Sequence, residues 1–272
     1  MSILEYSFFT YSALAVLLTA IATGLIGSYV VVRRMVFIAG GVTHSSFAGL
    51  GLGFFLGQSP LLYAMIAAIL SGLGVEVVAD RGKVREDSAI AAVWSLGMAI
   101  GVLFTFMTPG YTPGLNAFLF GNILLISRLD LIMLGAFVAV SIPAIMYFYN
   151  PLLLVSFDPE YGRTRGLNVR LYRVALMVWI CIGIVLSIRV MGIMMLMSML
   201  TLPQMTINLF TSNFKKLLIG SSVLSILSGI CALIGSYVLN LPTGAFSILL
   251  LTIVFVVAKG TRTLSQRRLA QQ

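Results

Sequence analysis

The sequence predicts an all-α polytopic membrane protein with about eight or nine transmembrane helices. Of its 272 residues, 60% are hydrophobic and only 9% are charged, whereas soluble domains carry about 25% charged residues. The apolar residues gather in runs long enough to cross a bilayer, and most of the charged residues lie between these runs. This pattern leaves no room for a sizeable soluble domain, so residues 1–272 are predicted to form a single transmembrane domain.

Three charge-free stretches justify most of the helices. Residues 35–75, 88–127 and 217–258 are each about 40 residues long, which as helix is roughly 60 Å, or two crossings of a ~30 Å hydrocarbon core. Turn-forming residues at 57–60 and 240–244 divide the first and the last stretch. The predicted spans are 9–32, 36–57, 61–79, 88–107, 129–149, 173–190, 192–211, 217–239 and 243–258.

Two regions leave the span count open. Residues 116–127 are apolar but too short to cross, so they are predicted to form a re-entrant or interfacial helix. A single residue separates spans 173–190 and 192–211, and Pro203 interrupts the second span. If these two spans form one bent span, the count is eight and the N-terminus moves to the cytoplasmic side.

The basic residues predict the orientation. With nine spans, all but two of the 17 Lys and Arg residues fall on one side of the membrane, the exceptions being Arg128 and Arg189. Loops rich in Lys and Arg face the cytoplasm, so this side, which includes the C-terminus, is predicted to be cytoplasmic. The same bias explains the net charge of +9, so no nucleic-acid partner is expected. The apolar helices are expected to contact the lipid bilayer.

His44 is the chain's single histidine and lies inside the second span. An ionisable residue within a membrane span is a candidate functional site. Neutral imidazole binds Zn²⁺, Mn²⁺ and Fe²⁺, so His44 is a candidate ligand for a passing cation, with a second copy of the chain supplying a second histidine. The alternative is a neutral imidazole that bonds to a neighbouring helix.

Glu76 and Asp80 are one helical turn apart at the end of the third span. Two carboxylates at this spacing can hold a hard cation. The alternative is a solvated helix end whose charge is balanced by Arg81.

Two groups of residues are predicted to serve packing. Small residues let helix backbones approach closely in lipid, and thioethers fill gaps in cores, although they also suit Cu(I). The glycines are Gly49, Gly51, Gly53, Gly57, Gly72 and Gly74, and the methionines are Met191, Met194, Met195, Met197, Met199 and Met205.

Residues 156–173, SFDPEYGRTRGLNVRLYR, form the longest polar segment between the apolar runs. Such a segment can form a short helix at the membrane surface and offer it to a soluble partner. We call residues 156–173 the coupling segment.

Several motifs, in this order and spacing, resemble the permease subunits of bacterial zinc/manganese ABC importers over nearly the whole chain. They are Gly27-Ser28-Tyr29 before Arg33-Arg34-Met35, a small-residue turn before His44, Glu86-Asp87-Ser88-Ala89-Ile90, Phe120-Gly121-Asn122-Ile123-Leu124, Phe157-Asp158-Pro159-Glu160-Tyr161, Gly166-Leu167-Asn168-Val169, Leu200 to Pro203, and Leu241-Pro242-Thr243-Gly244.

The resemblance implies a type II ABC importer-like permease in the bacterial inner membrane. Two copies of this chain would pair, a cytosolic ATP-binding subunit would dock on the coupling segment, and a periplasmic solute-binding protein would deliver the metal. The chain is not expected to be an enzyme or to bind a cofactor, because it carries no GxxxxGK[ST] nucleotide-binding motif. The residues expected to carry the docking are Asp158, Glu160, Tyr161, Arg163, Arg165 and Gly166.

The chain departs from this family pattern at two acidic positions. The resemblance leads us to expect an aspartate four residues before His44 and another just before Leu241, but these positions hold Gly40 and Asn240. An anionic ligand offsets the desolvation of a dication, so its loss weakens a bare-metal site.

The sequence therefore predicts a permease for ATP-driven import of a divalent transition metal, with zinc, manganese and iron as the candidates. Three alternatives stay open at this stage. The substrate could be a chelated or non-metal species, the chain could be a channel or secondary transporter independent of ATP, or it could be an assembly protein without transport activity.

Overall fold

The computed structural model describes residues 7–81, 85–110, 121 and 126–269, and every regular element in these ranges is helical. The predicted all-α class is thereby confirmed. The helices are α1 (Ser7–Val32), α2 (Val36–Phe55), α3 (Pro60–Arg81), α4 (Glu86–Met107), α5 (Arg128–Tyr147), α6 (Tyr149–Phe157), α7 (Pro159–Thr164), α8 (Val169–Met199), α9 (Leu202–Asn208), α10 (Phe214–Leu239) and α11 (Thr243–Leu269).

Eight helical segments in the described ranges are long and apolar enough to cross a membrane. Six of the predicted spans agree with observed helices to within one turn at both ends. The last helix was predicted too short, because α11 continues to Leu269 through a polar stretch that apolar composition alone could not include. The predicted helix at residues 116–127 falls mostly outside the described residues.

The predicted spans 173–190 and 192–211 are two limbs of one broken element. Gly192 interrupts the helical backbone with φ 71° and ψ 171°, a conformation that glycine adopts without steric cost. Trp179 packs on Tyr29 of α1, with ring centroids 5.9 Å apart, yet Leu200 also reaches α1, beside Gly27. A straight helix would separate residues 179 and 200 by about 31 Å. The chain therefore turns back at Gly192.

A buried glutamine stabilises the break between α8 and α9. Gln204 is fully buried, and its Nε2 donates hydrogen bonds to the carbonyls of Met199 (3.2 Å) and Thr23 (3.0 Å). Met199 is the last residue of α8, so its carbonyl lies among those that a helix end leaves without an intrahelical partner. The side chain therefore replaces a missing backbone bond and ties the break to α1.

Helices α2 and α4 run parallel and α2 and α3 run antiparallel, in close contact. An added Cβ at Gly51 of α2 would lie 2.6 Å from the carbonyl oxygen of Gly101 in α4, and one at Gly53 would lie 2.6 Å from Cα of Pro60 in α3. The predicted packing role of the glycines is confirmed at these positions, but not at Gly74, where an added Cβ meets nothing within 4 Å.

The two ends of the helix bundle differ in charge. Helices α1 and α10 are antiparallel, since Tyr29 packs on Phe214 and Gly229 lies beside Val16. Helix α11 returns along α10 after a short turn, so Leu269 lies at the end that holds Phe214, opposite to the first residue of α1. We call the end that holds Phe214 and Leu269 the basic end. The described basic residues at this end are Arg33, Arg34, Arg85, Arg163, Arg165, Arg170, Arg173, Lys215, Lys216, Lys259, Arg262 and Arg267.

The opposite end contains an ion pair between a buried carboxylate and an exposed guanidinium, which joins α5 to α8. Asp130 is buried, and its Oδ1 lies 3.2 Å from Nε of Arg189. Its Oδ2 accepts a hydrogen bond from Nη2 of Arg189, at 3.3 Å. Ser127 and Asp130 also form a capping box at the start of α5. The paired guanidinium compensates for burying the carboxylate, and the fork geometry fixes how the two helices meet.

The Gly51 contact yields a stability test. Gly51→Ala should push α2 and α4 apart and lower the stability of the purified protein by about 1–3 kcal/mol, as overpacking does. Gly74→Ala is the matched control, because its methyl enters open space and alanine favours helix. Thermal unfolding in detergent should show a lower Tm for the first variant and no decrease for the second. Equal Tm values would contradict the close α2–α4 contact.

Candidate functional site

His44 lies on α2 about 12 Å from the start of the helix, within the bundle. Its ring stacks on Trp94 of α4, with centroids 4.1 Å apart and planes 12° apart. The parallel course of α2 and α4 sets these two residues at the same level. The Nδ1 atom of His44 is buried and has no hydrogen-bond partner among the described residues. The structure therefore does not show the imidazole bonding through this nitrogen to a neighbouring helix.

Gly40 lies one turn from His44 on the same face of α2. An added Cβ at Gly40 would lie 3.3 Å from Cε of Met197 and 3.8 Å from the Trp94 ring. The Oγ1 of Thr43 also contacts Sδ of Met197, at 3.9 Å. A thioether and an indole thus surround the position where the family resemblance leads us to expect a carboxylate.

The donors near His44 within one chain are an imidazole nitrogen, a thioether sulfur and hydroxyl groups. In the part of the chain that the structure describes, no group of three or more His, Cys, Asp or Glu side chains could hold a metal ion. The described residues of one chain therefore do not by themselves form such a cluster around His44, and His44 as a metal ligand stays a prediction.

Glu76 lies on α3 near the basic end, in a cleft that it shares with Arg163, Arg170 and Arg173. His44 does not line this cleft. The side chain of Asp80 lies outside the described residues, so the predicted pairing of Glu76 with Asp80 also stays a prediction.

Asn240 ends α10 in the left-handed conformation, with φ 52° and ψ 41°. Asparagine tolerates this conformation better than other non-glycine residues. The backbone N–H of Leu241 then donates to the carbonyl of Ser236. Asn240 therefore has a structural explanation in the turn between α10 and α11.

The central part of the coupling segment is the short helix α7. Asp158 caps this helix by accepting the N–H of Tyr161 (2.9 Å), and Arg163 pairs with Glu160 (3.0 Å). The guanidinium of Arg165 donates from Nε to the Tyr161 hydroxyl, at 2.9 Å. These side chains are exposed, so they present an ordered polar surface at the basic end.

Gly166 ends α7 with a positive φ of 77°. Leu167 N–H donates to the carbonyl of Gly162 and Gly166 N–H to that of Arg163, which is the Schellman arrangement. Asn168 then caps α8 by accepting the N–H of Leu171. Residues 169–173, the last of the coupling segment, therefore already form the first turns of the long helix α8.

Comparison with known proteins agrees with this architecture. The family model of the ABC 3 transport family matches residues 5–261. The chain belongs to the ABC 3 transport family.

Two relatives show how far the similarity extends. An uncharacterized membrane protein of Synechocystis sp. is 32% identical over 259 residues, which is 95% of this chain and 92% of that protein. The manganese transport system membrane protein MntC of Listeria monocytogenes is 28% identical over 256 residues, which is 94% of this chain and 91% of that protein. The family resemblance inferred from the motifs is confirmed.

A solved structure shares the fold. The chain is similar to a chain of PsaBC from Streptococcus pneumoniae, solved in complex with Fab, with a TM-score of 0.85 and 23% sequence identity. The match covers 94% of this chain and 92% of that chain. The ABC permease fold therefore describes nearly the whole of this ABC 3 family member.

The sequence did not reveal how the coupling segment is joined to the bundle. Phe157 at the end of α6 packs against Phe214 of α10, Phe214 packs against Tyr29 of α1, and Tyr29 packs against Trp179 of α8, with ring centroids 4.9–5.9 Å apart. Aromatic residues were visible in the sequence, but their pairing depends on helices far apart in the chain. This aromatic chain connects the surface of the permease to its core.

Proposed function

We propose that this ABC 3 family protein is the membrane permease of an ATP-driven importer for a divalent transition metal, namely zinc, manganese or iron. The observation that carries the proposal is the family match over residues 5–261. Similarity along nearly the full length to a relative named as a manganese transport system membrane protein supports the substrate class.

The energy for transport would come from a separate cytosolic ATP-binding subunit that docks on the coupling segment. The exposed surface of Asp158, Tyr161 and Arg165 supports this role, and the concentration of Lys and Arg at the same end supports its cytoplasmic location. The protein would then lie in the bacterial inner membrane with its C-terminus in the cytoplasm, and residues 156–173 would act as its contact with the ATP-binding subunit.

The metal would cross between two copies of this chain, after delivery by a periplasmic solute-binding protein. Pairing supplies His44 twice, and each copy adds the Met197 thioether and nearby hydroxyls. Imidazole and thioether are softer donors than carboxylate. Waters or backbone carbonyls would complete the metal's coordination during passage.

A chelated metal is the second candidate substrate. The observation that favours it is the absence of a side chain at Gly40 together with the ring of Trp94, which is 39% exposed. A flat aromatic face and no carboxylate suit a neutral or anionic complex better than a bare dication.

The role of His44 can be tested by substitution. His44→Ala should lower metal uptake at limiting concentration by about tenfold or more, since even outer-shell changes at metal sites have effects of that size. Ser46→Ala is the matched control, because residue 46 lies on the face of α2 opposite to His44 and its hydroxyl donates to the carbonyl of Thr43 within the same helix. Uptake of radioactive zinc, manganese and iron by cells gives the readout.

Each result of this uptake measurement has a defined meaning. Full uptake by the His44→Ala variant would remove His44 from the path. Uptake of a chelate without uptake of any free ion would identify a chelated metal as the substrate.

Docking on the coupling segment can be tested by charge reversal. Glu160→Arg should abolish uptake and the co-purification of the ATP-binding subunit, while the protein still inserts in the membrane. Lys259→Glu is the control, because it reverses an exposed charge at the same end. Normal uptake by the Glu160→Arg variant would contradict the docking.

A charge swap separates docking from internal stability. Glu160→Arg combined with Arg163→Glu preserves an ion pair within α7 but changes the surface offered to a partner. Under the docking proposal, the swapped protein stays inactive. Recovery of uptake would show that Glu160 serves only the fold of α7.

A further inference from the structure

A cleft of about 520 Å³ opens at the basic end, between the last turns of α3 and the first turns of α8. One wall consists of Leu73, Glu76 and Val77 of α3. The other wall follows α7 and the start of α8, and its residues are Arg163, Leu167, Asn168, Val169, Arg170, Arg173 and Val174. His44 does not line this cleft, whereas six of its ten lining residues belong to the coupling segment.

The charge of the cleft is positive. Three arginines line it against the single described carboxylate, that of Glu76. Arg163 is already paired with Glu160, whereas Arg170 is exposed and lies in no ion pair among the described residues. The excess of guanidinium groups favours an anionic ligand.

Arg173 supplies an independent observation. Its Nε is buried and has no hydrogen-bond partner among the described residues. The half-buried side chain of Arg173 lines the cleft, and guanidinium groups match the geometry of phosphate.

Apart from Asn168, the remaining lining is apolar, and part of it faces outward. Val77 is 48% exposed and Val174 is 36% exposed, and both belong to helices long and apolar enough to cross the membrane. A ligand that fits both surfaces carries a phosphate next to hydrocarbon. Basic pockets between transmembrane helices on the cytoplasmic side are typical sites for anionic lipid headgroups.

We propose that the cleft between α3 and α8 binds the phosphate headgroup of an anionic membrane phospholipid through Arg170 and Arg173. Its acyl chains lie along Val77 and Val174. The lipid thereby joins the first turns of α8, which belong to the coupling segment, to the end of α3. This proposal does not depend on the transported substrate.

Native mass spectrometry of the full chain in neutral detergent tests the proposal. Phosphatidylglycerol should be retained, and phosphatidylcholine with the same acyl chains should not. Arg170→Gln and Arg173→Gln should each weaken the retention of phosphatidylglycerol about fivefold, the effect of one basic residue at an anionic surface. Arg262→Gln, at the same end but outside the cleft, is the matched control and should leave retention unchanged.

Glu76→Gln gives an effect of opposite sign. It removes the carboxylate that opposes the phosphate, so it should strengthen the retention of phosphatidylglycerol. A loss of retention in this variant would contradict the electrostatic basis of the site.

Four other outcomes would overturn the proposal. Equal retention of the two lipids would show that charge does not select the ligand. Equal behaviour of the cleft variants and Arg262→Gln would place the lipid elsewhere. Displacement of the lipid by millimolar inorganic phosphate would indicate a site for free anions. Normal lipid retention by the arginine variants, with loss of the co-purifying ATP-binding subunit, would assign the cleft to a protein contact.

Discussion

The structure depends on the need to satisfy every backbone N–H and C=O inside the protein where no water is available. Helices meet this need within a single segment. Where the helical pattern stops, the structure compensates locally: Gly192 turns the chain inside the bundle, and Gln204 bonds the carbonyl left over at Met199. At this break the irregular backbone lies among other helices, and it brings the two limbs of residues 169–208 against α1.

Close backbone contact and aromatic packing then determine which parts can move together. Gly51 and Gly101 hold α2 and α4 at a distance that no larger residue allows. The rings of Phe157, Phe214 and Tyr29 connect the end of α6 to α10 and α1. A displacement of the coupling segment would act on packed rings rather than on loose loops. The side chains near His44 lie on α2, α4 and α8, and α8 begins within that segment.

Hydropathy predicted most of the fold, because lipid imposes long apolar runs and charge marks their ends. The limits of α2, α4 and α10 follow from composition within one turn. Composition predicted a break near Gly192 but left open whether the chain reverses there, because a helix and a helical hairpin of the same length are equally apolar. It also could not predict that Glu76 faces arginines of α7 and α8, or that Trp94 stacks on His44, because these contacts depend on which helices are neighbours. Asp130 and Arg189 pair across distant segments for the same reason.

The central proposal is that an ATP-binding partner docked at the coupling segment supplies the energy for transport. The most direct measurement is metal uptake into proteoliposomes that contain the purified chain, with and without its co-purified ATP-binding subunit and ATP. The account predicts uptake only when both the subunit and hydrolysable ATP are present. Uptake by the chain alone, driven by an ion or metal gradient, would contradict it.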